Sequence, residues 1–187
     1  MILAEMKKKV LRLIEEVSDT NVKFTDDPDI AAKLNDVINQ VMFEVARMKK
    51  IPAKHVLNVL EPVDYDLREL EGFYQLEHIR FNTDSGNDSE VTLFGTFAEF
   101  LEPGTATVYY NKYPERITDT TVDTEYVFEL SDDALEVMVY GIAADLLKSD
   151  ISNDYGQIYE KRYETMLQRL DPRYSMGSIF IDGGVSI

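Results

Sequence analysis

TATVYYNKY, residues 105–113, carries the clearest secondary-structure signal in the chain. Thr107, Tyr109, Asn111 and Tyr113 alternate with Ala106, Val108, Tyr110 and Lys112. This is a period of two with aromatic side chains on both faces, the signature of a strand rather than a helix. Outward from it lie further short segments rich in aromatic and β-branched residues: His55–Leu60, Leu76–Phe81, Val91–Phe94, Phe97–Leu101 and Tyr126–Leu130. Turn formers separate them. Pro103-Gly104 is one such signal, and Asp84-Ser85-Gly86-Asn87-Asp88 reads as a hairpin turn. Residues 53–130 are therefore expected to form an antiparallel β insert, with Leu67–Tyr74 a short turn or helix on its approach.

On either side the period changes to that of a helix. Ile2/Leu3, Met6, Val10, Leu13/Ile14 and Val17 form one apolar stripe, ended by Ser18-Asp19-Thr20-Asn21. Asp27 and Pro28 mark the start of a second helix as N-cap and first helical residue. Its stripe runs through Ile30, Leu34, Val37/Ile38, Val41/Met42 and Val45 to Lys49-Lys50, which complement the dipole at the C-terminal end, and Ile51-Pro52 stops it. A third helix follows Ser131-Asp132-Asp133, with Asp133 and Glu136 at capping-box spacing. It is apolar nearly all round from Leu135 to Leu147, as a central or shared helix would be. A fourth, at about 153–170, carries a half-aromatic stripe that includes Tyr155, Tyr159 and Tyr163, and Pro172 follows it.

The expected fold class is thus α+β: an α-helical bundle of about four helices, with an antiparallel β insert between the second and third and an extended C-terminal tail. Residues 1–52 and 131–170 would form the bundle, 53–130 the insert and 171–187 the tail.

A length of 187 residues suits one domain, or one with an elaborated insert. No apolar run reaches the ~18–20 residues of a membrane span, and MILAEMKKKVLRLIEEV reads as an amphipathic helix rather than a signal peptide. The chain has no cysteine, which excludes disulfides and thiolate metal sites. Its net charge of −16 is unevenly spread. Residues 1–60 hold ten basic and nine acidic side chains, residues 61–136 four and nineteen, and residues 137–187 five and seven. The acidic middle third disfavours ordinary nucleic-acid binding, because it repels phosphate.

Candidate chemistry is thin. Asp26/Asp27 and Asp132/Asp133 sit at helix starts, where carboxylates cap. His55 and His78 lie in expected strands and could be neighbours in one sheet, but two histidines fall short of a metal site. The acidic loop 84–90 has its glycine at the third place rather than the sixth required by an EF-hand. No nucleophile elbow, phosphate loop or zinc-protease motif is present, so neither an enzyme, a cofactor nor a metal site is expected.

Residues 104–117, GTATVYYNKYPERI, form a strand with a Tyr/Pro-rich exit. The acidic stretch ELSDDALE (129–136), an apolar helix with Tyr140 and Ala143-Ala144, and the Tyr-rich helix from Tyr155 to Leu170 follow it. Together these resemble the head–tail connector (adaptor or head-completion) proteins of tailed bacteriophages, over residues 100–170 in residue pattern and 1–170 in element order. The resemblance implies a structural virion subunit of the neck, made in the host cytoplasm. It would assemble into a homo-oligomeric ring, usually dodecameric, docked on the portal protein and on downstream tail or neck proteins. DNA would pass through the bore without tight binding. Joined to the charge count, that geometry makes Glu99, Glu102 and Glu115 candidate acids of the lumen. In the tail, Ile179-Phe180-Ile181 is a candidate strand to be added to a partner's sheet. The competing reading is a small acidic ligand- or ion-binding module that forms no ring.

Overall fold

The computed structural model describes residues 1–16, 24–83, 91–148 and 154–170. Among these residues four helices are present, α1 (Leu3–Leu13), α2 (Pro28–Lys49), α3 (Asp132–Leu147) and α4 (Asp154–Arg169). Between α2 and α3 run six strands: β1 (Ile51–Val59), β2 (Val63–Asp66), β3 (Phe73–Thr83), β4 (Thr92–Phe94), β5 (Phe97–Phe100) and β6 (Gly104–Lys112).

Helix α3 is the centre of the larger core. Ala134, Leu135, Val137, Met138, Ile142, Ala143 and Leu146 are all buried, as its all-round apolar sequence requires. It packs against α1, α2 and α4. A side chain at Gly141 would meet the Tyr163 ring at 2.7 Å and Val41 at 2.9 Å, so the absence of a Cβ there lets α2, α3 and α4 approach closely. Asp27 caps α2 as expected, its carboxylate accepting from the N–H groups of Asp29 and Ile30 at 2.8 and 3.2 Å. At the far end Lys50 takes a φ of +59° and turns the chain directly into β1.

The strands form two antiparallel three-stranded sheets, ordered β1-β6-β3 and β2-β5-β4. One ribbon links them. Val59 pairs with Gly104 and Val63 with Phe100, so β1/β6 and β2/β5 keep a single register across the interruption at 60–62 and 101–103. Pro62 and Pro103 occupy that corner, where neither needs an N–H for a ladder. A Cβ on Gly104 would lie 2.3 Å from the Asn82 carbonyl, so the fold in the ribbon depends on glycine at this place. The two inner faces meet over a second, smaller core in which the Phe81 and Phe100 rings touch edge to face at 5.0 Å, with Ala98, Ala106, Val108 and Tyr110 around them.

The expected helical bundle with one β insert is therefore corrected to a mixed α+β architecture. The helices do not close a core among themselves. Ile51 from β1 and Ile117, Phe128 and Leu130 from the irregular segment 113–131 complete it. Buried Asn39 on α2 holds that segment from both sides, donating to the Ile117 carbonyl at 2.7 Å and accepting from its N–H at 2.9 Å. The β region, in turn, is two sheets with their own core. Strand β2, Val-Asp-Tyr-Asp, alternates apolar and acidic residues, but four residues between Pro62 and the Leu67–Glu69 turn are too few for the alternation to stand out.

Three local expectations are corrected as well. Tyr126–Leu130 is not a strand, and its one bridge joins Val127 to Ile2. The cap of α3 is Ser131, while Asp133 lies inside the first turn. Residues 84–90 are outside the described residues, but the strands they connect, β3 and β4, belong to different sheets and do not make a hairpin.

Candidate functional site

Pairing register settles which side chains share each outward face, since directly opposed residues point the same way. On the larger sheet Ala106, Val108 and Tyr110 point inward, so Thr105, Thr107 and Tyr109 point out. Their partners on that outer face are Asn58, Val56 and Lys54 from β1 and Asn82, Arg80 and His78 from β3. His78 stacks on Tyr109 with ring centroids 4.4 Å apart. Lys54 and Arg80 are exposed, and neither forms an ion pair among the described residues. Glu77, at a bulge near the end of this face, is held by Lys50 at 3.4 Å and by Asn111. A chain of net charge −16 thus carries a basic, aromatic sheet face.

The smaller sheet is its opposite. Ala98 and Phe100 point inward, so Phe97 and Glu99 lie on the outer side, beside Phe94 and Thr92 from β4 and Asp64 and Asp66 from β2. Asp66 accepts from the Arg68 guanidinium at 2.6 Å and from the Arg68 backbone N–H at 3.0 Å. These bonds hold its carboxyl down at about 2. The Arg68 guanidinium also lies over the Phe97 ring, 5.9 Å from its centroid.

A third feature is an acidic groove of about 350 Å³ where β6 runs into the irregular segment, with Glu71, Glu115, Glu125 and Glu129 in its lining. Lys112 ties to Glu129 at 2.5 Å. The Tyr126 hydroxyl donates to the Glu115 carbonyl at 2.6 Å. Burial, with Glu115 and Glu129 nearby, pushes this phenol up to about 12, so it stays a donor across the physiological range.

The three candidate lumen acids are all exposed, but they do not form one site. Glu99 is on the outer face of the smaller sheet, Glu102 at the ribbon's corner and Glu115 in the groove. The nine-residue β6 separates Glu102 from Glu115 by roughly 25–30 Å. His55 and His78 are not neighbours. They lie on β1 and β3, which flank β6, and face opposite sides of the sheet. Among the described residues no group of three or more His, Asp or Glu is placed to hold a metal ion, and no helix is long and apolar enough to cross a membrane. Ile179, Phe180 and Ile181 lie outside the described residues.

The contrast between the two sheet faces was missed from sequence. Its signal is the alternation itself: Lys54, Val56 and Asn58 occupy one parity and Phe97, Glu99 and Leu101 another. Only the pairing shows which parity is outward in each strand.

No protein-family model matches the chain, and no curated protein matches it in sequence.

Proposed function

We propose that this chain is a structural subunit that works by assembling with other chains, as a head–tail connector (adaptor) of a tailed-phage virion. Copies would form a ring beneath the portal protein, join capsid to tail through downstream neck or tail proteins, and let DNA pass. The observation that carries this reading is the exposure of large apolar side chains on and beside the smaller sheet: Leu60 is 87 %, Phe94 83 % and Leu101 64 % exposed. Phe94 sits opposite exposed Phe97 at the hairpin end of that sheet, with Leu60 and Leu101 at its corner, and exposed apolar groups of this size mark contacts with other proteins. The residue pattern of 100–170 supplies the connector reading. In such a ring the groove acids around Glu115 are the better candidates for the surface that passing DNA slides along, since like charge resists phosphate adsorption.

The test is the mass of the full chain, alone and with its cognate portal protein, by native mass spectrometry and electron microscopy. The expected result is a ring on the portal. A chain that stays monomeric at every concentration and leaves the portal unchanged overturns the proposal.

A further inference from the structure

The two outer sheet faces complement each other. One carries Lys54, Arg80 and the His78–Tyr109 stack, with exposed Val56 beside Lys54 on β1. The other carries Asp64 and Glu99, directly opposite each other on β2 and β5, with Phe94 and Phe97 at its hairpin end, where Arg68 occupies Asp66. Because the folded ribbon turns its inner faces together, these outer faces look out on different sides of the same subunit. One subunit therefore cannot satisfy its own complementarity, but a second copy can.

We infer that the acidic, apolar face of one copy docks on the basic, aromatic face of the next, in a head-to-tail contact. Such a contact uses two different patches and so propagates from copy to copy, closing into a ring when the rotation permits. Acid meets base, and Phe94 and Phe97 meet Val56 and Tyr109. Glu99 then belongs to the subunit contact and not to the lumen. This contact depends on the self-assembly reading above, but not on the portal or the DNA. The area is small. The smaller sheet's four-residue central strand is ~13 Å long, and three strands span ~10 Å. That lies well under the ~800 Å² per partner of a stable complex. Association of free copies is accordingly weak, concentration-dependent and sensitive to salt.

The absence of cysteine permits a direct test on the full chain. Thr92→Cys marks the acidic face and Thr107→Cys the basic face; both positions are on outward sides. Oxidised at low salt and high concentration, the double variant is expected to give a ladder of covalent oligomers, and each single variant nothing beyond a trace of dimer. Adding Lys54→Glu/Arg80→Glu, or Asp64→Lys/Glu99→Lys, is expected to weaken ladder formation roughly tenfold or more by placing like charges face to face. Mixing those two reversed chains, one now acidic on both sides and one basic on both, restores it. Circular dichroism checks folding, and Lys54→Gln/Arg80→Gln replaces any reversal that fails to fold. Strong dimers from one single variant, or a ladder indifferent to both reversals, overturn the contact. So does a reversal of Lys54 and Arg80 that abolishes oligonucleotide binding while leaving the ladder intact. Rings seen on the portal without a 92–107 ladder sink this contact alone and spare the connector reading. A monomer that forms neither sinks both.

Discussion

Around α3 the neighbouring elements turn their apolar sides inward, so that Leu3, Met6, Ile38, Met42, Met138 and Ile142 are wholly buried. The folded ribbon covers Phe81, Ala98 and Phe100 but leaves Leu60, Phe94 and Leu101 in solvent. Both regions come from one chain of ordinary composition, and each encloses a core, the helical one only with Ile51, Ile117, Phe128 and Leu130 added to it. A sheet face has two sides to cover. The ribbon covers one side of each sheet by folding on itself, and among the described residues Lys54, Val56, Arg80, Phe94 and Glu99 on the other sides stay exposed. The β region is thus a folded unit that presents surfaces, and the helical region is the support that holds it.

Damage to one core should leave the other largely intact. Phe100→Ala removes the ring that meets Phe81 and should cost about 3–5 kcal/mol locally. Hydrogen exchange should then show lost protection across β1–β6, with the amides of α3 nearly unchanged. Equal loss in both regions would mean one cooperative core, and the distinction would fail. Asn39→Ala attacks the helical region instead. It leaves the buried N–H and carbonyl of Ile117 without partners, at about 2–4 kcal/mol. A chain of this size should melt roughly 5–15 °C lower, with the irregular segment 113–131 the first to lose exchange protection.

Helices were legible because a 3.6-residue stripe and a cap act over neighbouring residues. Asp27-Pro28 and the stripe behind it marked α2 without reference to anything distant. The β region was legible as β from residues 105–113, but its division was not. Whether β1 continues through Pro62 into β2 depends on Gly104 approaching Asn82 closely, a contact between residues far apart in sequence. The lumen acids failed as a group for the same reason. Charge counted along a chain gives a total for a segment, and pairing decides that Glu99 and Glu115 occupy different surfaces. The hold of Asn39 on Ile117 had no sequence signal, since a polar residue on a helix reads as solvent-facing until its partner 78 positions away is known.

The charge assignments separate in a milder experiment. Glu99→Gln should lower self-association several-fold, while Glu102→Gln and Glu115→Gln leave it unchanged; sedimentation at two salt concentrations measures both. Melting temperatures should stay within a degree or two of the parent chain, because all three side chains are exposed. A larger loss from Glu115→Gln would move the subunit contact to the groove.

The smallest effect compares two carboxylates held at about 2, one in each region. Asp133 is bound by Lys49 at 2.7 Å, joining α3 to the end of α2 across 84 positions. Asp66 is bound by Arg68, two residues away. A contact across 84 positions exists only in the folded chain, so Asp133 returns to an ordinary carboxylate value near ~3.9 on unfolding. The Asp66 pair is local and its guanidinium is mostly in solvent, so part of the attraction survives in the unfolded chain and the difference between the two states is screened. Linkage follows the difference between the two states. A depressed folded value gives stability that is present above the unfolded pKa and is lost as pH falls from about 4 through about 2. Asp133 is half exposed, so solvent screening limits its share to below ~1 kcal/mol. Asp133→Asn should therefore melt slightly below the parent at pH 7, with the gap steady down to about pH 5 and closed near pH 2. Asp66→Asn should show a smaller gap over the same pH range, although NMR titration would place both native carboxylates near 2. A gap for Asp133→Asn that persists at pH 2 would mean that the loss comes from its place in the first turn of α3 and not from the ion pair.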